Sequence, residues 1–327
     1  MRISVNALAI VAIIAAFVAG FASGIVFAYI SVVPPPSPVG YVAVIEIDGA
    51  IGYRKLGLLA ASSTVTPEDV RWAVKQVLLD PSAKAVVLYV NSPGGSAAAC
   101  EEIYEVVKEL ASKKPVVAYI AEYGTSGGYM VALPAREIVA APSSMVGSVG
   151  AVMTFINVKG LAEKLGVKTY VFKSGELKDI GNPFRELTPR EEQLLSSMVR
   201  DVAEKFAEKV RRHRGGKVKD MSEVLTARPY TGSQALSAGL VDSIGTFEDA
   251  VARARELGGL PKDAPYRVIR KAPGLLELLL GSSYSMAGHA PPLKPSIEIL
   301  TMWPLPSGIV VVNNGVIINN AEISEKG

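Results

Sequence analysis

Apolar and polar positions change period along the chain, and the changes mark its elements. From 7 to 31, "ALAIVAIIAAFVAGFASGIVFAYIS" is uncharged and almost wholly apolar. Beyond it, short near-continuous apolar runs alternate with stretches of helical period. "YVAVIEIDGAI" from Tyr41, "AKAVVLYV" ending at Val90 and "PVVAYIA" ending at Ala121 read as strands; the last two look buried on both faces, as in a parallel sheet. "TPEDVRWAVKQVLLD" predicts a helix with Thr66 as N-cap and Pro67 at its first position. A second helix is predicted from about Ser96 to Ser112. "EIVAAP" and "GSVGAVMTFI" read as further strands, "VKGLAEKLG" as a short helix and "KTYVFK" as a strand. "TPREEQLLSSMVRDVAEKFAEKVRRHR" predicts a long amphipathic helix capped by Thr188. Strands alternating with helices give an α/β fold built from crossover units.

The two ends differ from this middle. No charged residue stands between Arg2 and Glu46. A helix over 7–31 rises roughly 37 Å at about 1.5 Å per residue, enough for a hydrocarbon layer of roughly 30 Å. The competing reading, a cleaved signal peptide, has an apolar stretch of only about 7–15 residues. The expected organisation is therefore a cytoplasmic start at 1–6, a transmembrane helix at 7–32, a stiff proline-rich linker at 33–40, a main domain at 41–258 and an extension at 259–327. Arg2 favours an inside N-terminus, which puts the body outside the cytoplasm. Gly20 and Gly24 form a GxxxG that pairs helices in some membranes and is ordinary helix composition in others. In the extension, "GIVVVNNGVIINN" carries a hairpin signal and "GLLELLLG" a short apolar run of core or interface type.

Composition narrows the chemistry. A net charge of +3 over 327 residues gives no reason to expect a nucleic-acid partner. One cysteine, Cys100, cannot form an internal disulfide, and the two histidines, His213 and His289, supply no metal cluster. Phosphate-loop and dinucleotide fingerprints are missing, so no cofactor is expected. The basic run "KVRRHRGGKVK" lies at a helix C-terminus, where the dipole favours cations.

One stretch stands out, "EYGTSGGYMVALPA" at 122–135, with Gly124, Gly127 and Gly128 around Ser126. It follows a buried strand and opens a helix, the edge of a parallel sheet where α/β sites collect. A serine there is also a good N-cap. The glycines argue for close backbone approach and for N–H groups free to hold an oxyanion. A nucleophilic serine needs a base. His213 sits in an arginine-rich helix end and His289 in a proline-rich tail, so neither suits. A lysine kept neutral by burial would serve. "FKSGELKDIGNPFRELT" offers Lys173 and Lys178, and local sequence does not choose between them.

"NSPGG", "TSGGY", "VGSVG", "KSGELKDIGNPFRELTPREE" and "ARPYTGSQALSAGLVDSIGTFEDA" resemble, in order, the motifs of the signal peptide peptidase A family of membrane-bound serine proteases. The resemblance spans about 41–258. It implies a Ser/Lys dyad on a fold shared with Clp protease and crotonase. Ser126 matches the nucleophile and Lys178, before "DIGNPFR", the base. It further implies that Ser148 orients the lysine, and that Gly94 or Gly95 with the N–H of Gly127 forms the oxyanion hole. Thr125 stands where the family usually has alanine, and Met130 where a second aromatic is common, which touches the specificity pocket rather than the dyad. One short catalytic unit implies a site completed in a homo-oligomeric ring.

The expected activity is hydrolysis of spent signal peptides or other apolar peptides at the bilayer, with small or aliphatic P1 residues. The alternatives are a related membrane protease acting on a membrane-protein partner, a crotonase-type acyl-CoA enzyme and an inactive scaffold.

Overall fold

The computed structural model describes residues 40–53, 64–271 and 300–302, with 15–17, 19, 20 and 23. Most of the expected anchor at 7–32, the linker, His289 and both tail motifs lie outside the described residues. No helix among the described residues is long and apolar enough to cross a membrane.

The main sheet is built on strands β1 (Tyr41–Asp48), β4 (Ala83–Ser92) and β6 (Val116–Thr125), each parallel to the next. β7 (Glu137–Ala140) and β10 (Ser243–Ile244) extend it on one side and β11 (Tyr266–Val268) on the other. The order is β10-β7-β6-β4-β1-β11, with every pairing parallel. β8 (Met145–Gly147) continues beside the end of β6 and pairs antiparallel with β9 (Pro229–Thr231). A smaller sheet joins β12 (Leu300–Met302), β5 (Gly94–Ser96), β2 (Ala50–Ile51) and β3 (Thr64–Val65) in that order. The expected boundary at 258 thus falls just before a strand of the main sheet.

The pleat explains the unbroken apolar runs. Ala43, Ile45 and Ile47 of β1 face one core with Val86, Leu88 and Val90 of β4. Val42 and Val44 face the other with Ala85 and Val87. Both faces are covered, so neither needs polar side chains. The first core is closed by α1 (Pro67–Leu79), α2 (Ala97–Lys113) and α3 (Gly127–Ala132). Among the described residues, α4 (Lys159–Lys164), α5 (Pro189–Arg214, 26 residues), α6 (Met221–Val224), α7 (Gly232–Ala238) and α8 (Phe247–Leu257) follow along the chain. Ala250, Val251 and Ala254 of α8 cover the second core. At roughly 1.5–3 kcal/mol for each large aliphatic side chain buried, these two layers dominate stability.

The expected helix starts form as read. Thr66 accepts from the Asp69 N–H, and Thr188 and Glu191 make a reciprocal capping box at α5. Two expected strands do not form. The ladder of β8 stops at Gly147 because Ser148 turns away at φ 52, and Val152 keeps only an isolated bridge. "KTYVFK" at 168–173 joins no ladder among the described residues. Their apolar pattern was real, but Val152, Ile156, Val167, Tyr170, Val171 and Phe172 are exposed, Phe172 by 96%.

The "GLVD" segment ties the body together. Asp242 accepts from Arg214 Nη1 at 2.8 Å, Lys217 Nζ at 2.6 Å and the Ile138 N–H at 2.8 Å. Burial works to raise its carboxyl, and these bonds outweigh it, leaving the pKa below the ordinary value. Arg214, itself buried, also donates to the Gly239 carbonyl from Nε and Nη2. Arg214→Ala is expected to lower unfolding free energy by about 3 kcal/mol, because Asp242 loses a buried partner. In the wild type, this stabilisation holds at neutral pH and fades as pH falls through the lowered Asp242 pKa. Urea titrations of both proteins at neutral and acid pH will show it as a difference that narrows in acid.

Candidate active site

The site is assembled where β4 and β6 end side by side. Ser92 of β4 is in register with Gly124 of β6, and Thr125 with Gly147 of β8. β6 runs directly into Ser126, whose N–H donates to the Gly147 carbonyl at 2.7 Å. The Ser126 carbonyl then accepts the first helical bond of α3, from the Met130 N–H at 3.0 Å. Ser126 has φ 53 and ψ −122, a region that L residues rarely adopt. Its side chain makes no capping bond, so the N-cap reading of this serine fails. Sharp turns of this kind store strain and present the side chain at the strand end.

The flanking glycines have separate reasons. A Cβ on Gly128 would lie 2.2 Å from the Ser92 carbonyl oxygen, and one on Gly95 would lie 1.9 Å from the Ile51 carbonyl oxygen. The "SGG" turn therefore touches the end of β4 backbone to backbone, and Gly95 of the "PGG" loop touches β2 in the same way. Gly94, at φ 100, donates its N–H to Ser92 Oγ at 3.2 Å. Of the expected oxyanion donors, Gly94 is thus engaged within its own loop. Gly127 lies in the first turn of α3, where N–H groups lack helical partners. Tyr129 fixes the helix from behind by donating to the Leu240 carbonyl at 2.6 Å. Burial pushes its phenol up.

Ser148 follows Gly147 and so lies beside Ser126 across the β6–β8 edge. It is buried, has φ 52 and donates its N–H to the Arg228 carbonyl at 3.1 Å. Ser126, Gly127 and Ser148 therefore lie together at the end of the main sheet, and Gly94 and Gly95 of the smaller sheet follow directly from the end of β4 beside them. Lys178 is not among them. It lies on an exposed 3-10 turn, Glu176–Asp179, and its side chain makes no hydrogen bond to either serine. The burial that would keep this lysine neutral is absent in the single chain, where no residue of 151–187 is buried. Lys173 is committed elsewhere, to the Glu176 carbonyl at 2.9 Å and to Asp179 at 2.7 Å. His213 meets Tyr104 through Nε2 at 2.8 Å, and burial, then Arg212, Lys108 and Arg214, hold its pKa down.

Two surfaces adjoin the site. β5 pairs on one side with β2 and on the other, antiparallel, with β12. Just beyond Ser148, a groove of about 570 Å³ lies between Val152, Met153 and Phe155 and the α5 residues Leu195 and Val199. Sequence reasoning missed Ser92, whose signal was its place one residue before "PGG". It also missed Arg185 and Glu191, which clamp the Lys178 turn together with Asp179, a residue the sequence offered as a neighbour tuning the lysine or a plain turn carboxylate.

The sequence model of peptidase family S49 matches residues 108–260, and that of Clp protease matches 61–146. A Synechocystis chain named as a protease is 37% identical over 224 residues, covering 68% of this chain and 76% of its own. The chain belongs to peptidase family S49. A Methanocaldococcus jannaschii chain named as a protease is 41% identical over 181 residues, 55% of this chain and 58% of that one. The chloroplastic serine protease SPPA of Arabidopsis thaliana is 29% identical over 80% of this chain and 39% of its own. The chain thus spans 58% of the Methanocaldococcus jannaschii relative and 39% of the plant one.

The turn strain is measurable. Ser126→Gly removes the penalty of a positive φ, whereas Ser126→Ala retains it. The glycine variant is expected to be the more stable of the two by about 1 kcal/mol. Equal urea midpoints would show that the turn is unstrained.

Proposed function

We propose that this chain is a membrane-bound serine endopeptidase that uses Ser126 as nucleophile and Lys178 as base to degrade apolar peptides such as remnant signal peptides. The observation that carries this reading is Ser126 itself, held at positive φ at a strand–helix turn in a chain of family S49. Ser126 Oγ attacks the scissile carbonyl and passes its proton to the neutral Lys178 amine. The carbonyl oxygen gains the negative charge and meets the N–H of Gly127, with Gly94 or Gly95 as the second donor; Gly94 serves only by giving up its bond to Ser92 Oγ. Collapse of that intermediate gives the acyl-enzyme and releases the amine, protonated by the lysine. Water, deprotonated by the same lysine, then frees the acid and Ser126. Ser148 orients the lysine.

Lys178 must approach Ser126 for this to happen, and the exposed apolar residues of 151–187 support an approach made in an assembly of copies. In that segment Leu161, Leu165, Tyr170 and Phe172 are each more than half exposed, and large apolar side chains gathered at a surface mark interaction sites. The reading is of a homo-oligomeric ring anchored by 7–32, with the body outside the cytoplasm. An extended peptide would use the same backbone groups of β5 that pair with Leu300–Met302. The small and aliphatic lining favours alanine or leucine at P1.

The central test is fluorophosphonate labelling of the detergent-solubilised full chain. Ser126→Ala should lose the label and all peptidase activity. Lys178→Ala and Lys178→Arg should be inactive, since a guanidinium does not deprotonate, while Lys173→Ala and His213→Ala should stay near wild type. Retained activity in Lys178→Ala with loss in His213→Ala would replace the dyad with a Ser/His pair.

Activity of the wild type should rise with pH across the mildly alkaline range and then level off, because the base must lose its proton and burial on its approach to Ser126 favours the neutral amine. Protease added to intact spheroplasts should digest the body; protection would reverse the proposed orientation.

A further inference from the structure

The turn that carries Lys178 is exposed on the single chain, yet it is held by a dense set of charged bonds. Asp179, the next residue, accepts from Arg185 at both carboxylate oxygens, from Nε at 2.9 Å and from Nη2 at 2.9 Å. Lys173 adds a third bond at 2.7 Å. Arg185 Nη2 also reaches the Asp179 carbonyl at 3.1 Å. The remaining edge of the same guanidinium grips Glu191, from Nη2 at 2.6 Å and Nη1 at 2.8 Å, and the Glu186 carbonyl at 2.9 Å. Glu191 is buried and is the acid of the α5 capping box, where it also accepts the Thr188 N–H. A second tie joins Glu176 of the turn to Arg190 of α5 at 2.6 Å.

These contacts have a geometric and an electrostatic consequence. Geometrically, one planar fork rivets the 3-10 turn to the first turn of a 26-residue helix. A lysine ammonium, a point donor, cannot span both carboxylates in this way. Electrostatically, a carboxylate beside an amine favours its protonated form, which is the wrong form for a base. Every ion pair recorded for Asp179 goes to Arg185 or Lys173 and none to Lys178. The charged groups around the turn come from three segments: Lys173 before it, Arg185 and Glu186 after it, and Arg190 and Glu191 from α5. Lys173 and Arg185 match Asp179 and Glu191 in charge. Asp179 accordingly lies well below the usual carboxylate range, through Arg185 first and Lys173 second, and Arg185 brings Glu191 down to about 2.

We propose that Arg185 is a positioning residue for the base, fixing the Lys178 turn against α5 and keeping the Asp179 carboxylate away from the Lys178 amine. The inference rests on the reading of Lys178 as the base. Arg185 touches neither Ser126 nor the reacting atoms in this account, and it acts through the turn.

The test is the pH dependence of kcat and of kcat/KM for the detergent-solubilised full chain on an apolar peptide. Arg185→Gln is expected to lower kcat by about 10–100-fold with little change in KM. It should also move the rising limb of the profile upward by about 1 pH unit, as the freed carboxylate favours the ammonium. Asp179→Asn, which leaves two cations beside the turn, should move the limb the other way. Arg185→Gln/Asp179→Asn should return it toward the wild-type position, and Arg185→Lys should restore only part of kcat. A limb that stays in place in both single variants, with activity falling only in step with the folded fraction, would overturn the inference. If Arg185→Gln does not fold, Asp179→Asn decides alone, with an unmoved limb counting against the proposal. An active Lys178→Ala would instead overturn the dyad and this inference together.

Discussion

The turn from β6 into α3 packs against the carbonyl oxygen of Ser92, at a distance that admits a hydrogen and no Cβ on Gly128. Much of the site follows from that contact. Because the two backbones touch, the "PGG" loop and the serine turn share one small volume. The same closeness requires Ser126 to absorb a sharp change of direction, which it does at positive φ. The Gly147 carbonyl then fixes the turn from the far side, and that bond draws Ser148 alongside. A parallel sheet buried on both faces provides the stiffness that holds these loop ends in register.

The body and the segment 151–187 are organised by different forces. The body is apolar layers on a sheet, closed by the Asp242–Arg214 cluster where the chain returns. The segment has few buried side chains and many charged bonds, concentrated at Arg185. Apolar layers hold Ser126; ion pairs hold the Lys178 turn. The exposed Tyr170, Val171 and Phe172 lie close in sequence to the lysine, so burying them would carry the turn with them.

The strand β12 gives β5 a partner on its open side. Gly95 therefore has β2 on one side and a tail residue on the other. An edge that accepts an antiparallel strand close to Ser126 has the backbone chemistry of a peptide-binding edge, and the glycines leave it free of side-chain obstruction.

Local sequence determined the sheet strands, the capped helices and the identity of Ser126 as the residue at a special turn. Those features depend on short-range rules: apolar runs for buried strands, Thr66 and Thr188 as caps, glycines where a Cβ has no room. The order of five motifs also carried the family. Tertiary structure alone decided the rest. It showed that Ser126 caps nothing, that Gly94 is bonded to Ser92, and that "GSVGAVMTFI" and "KTYVFK" leave the sheet although their residues suit strands. A strand needs a partner, and no local pattern states whether one is available. The clamp on Lys178 was likewise invisible, because Arg185, Asp179 and Glu191 are ordinary charged residues until the chain turns and sets one guanidinium between two carboxylates.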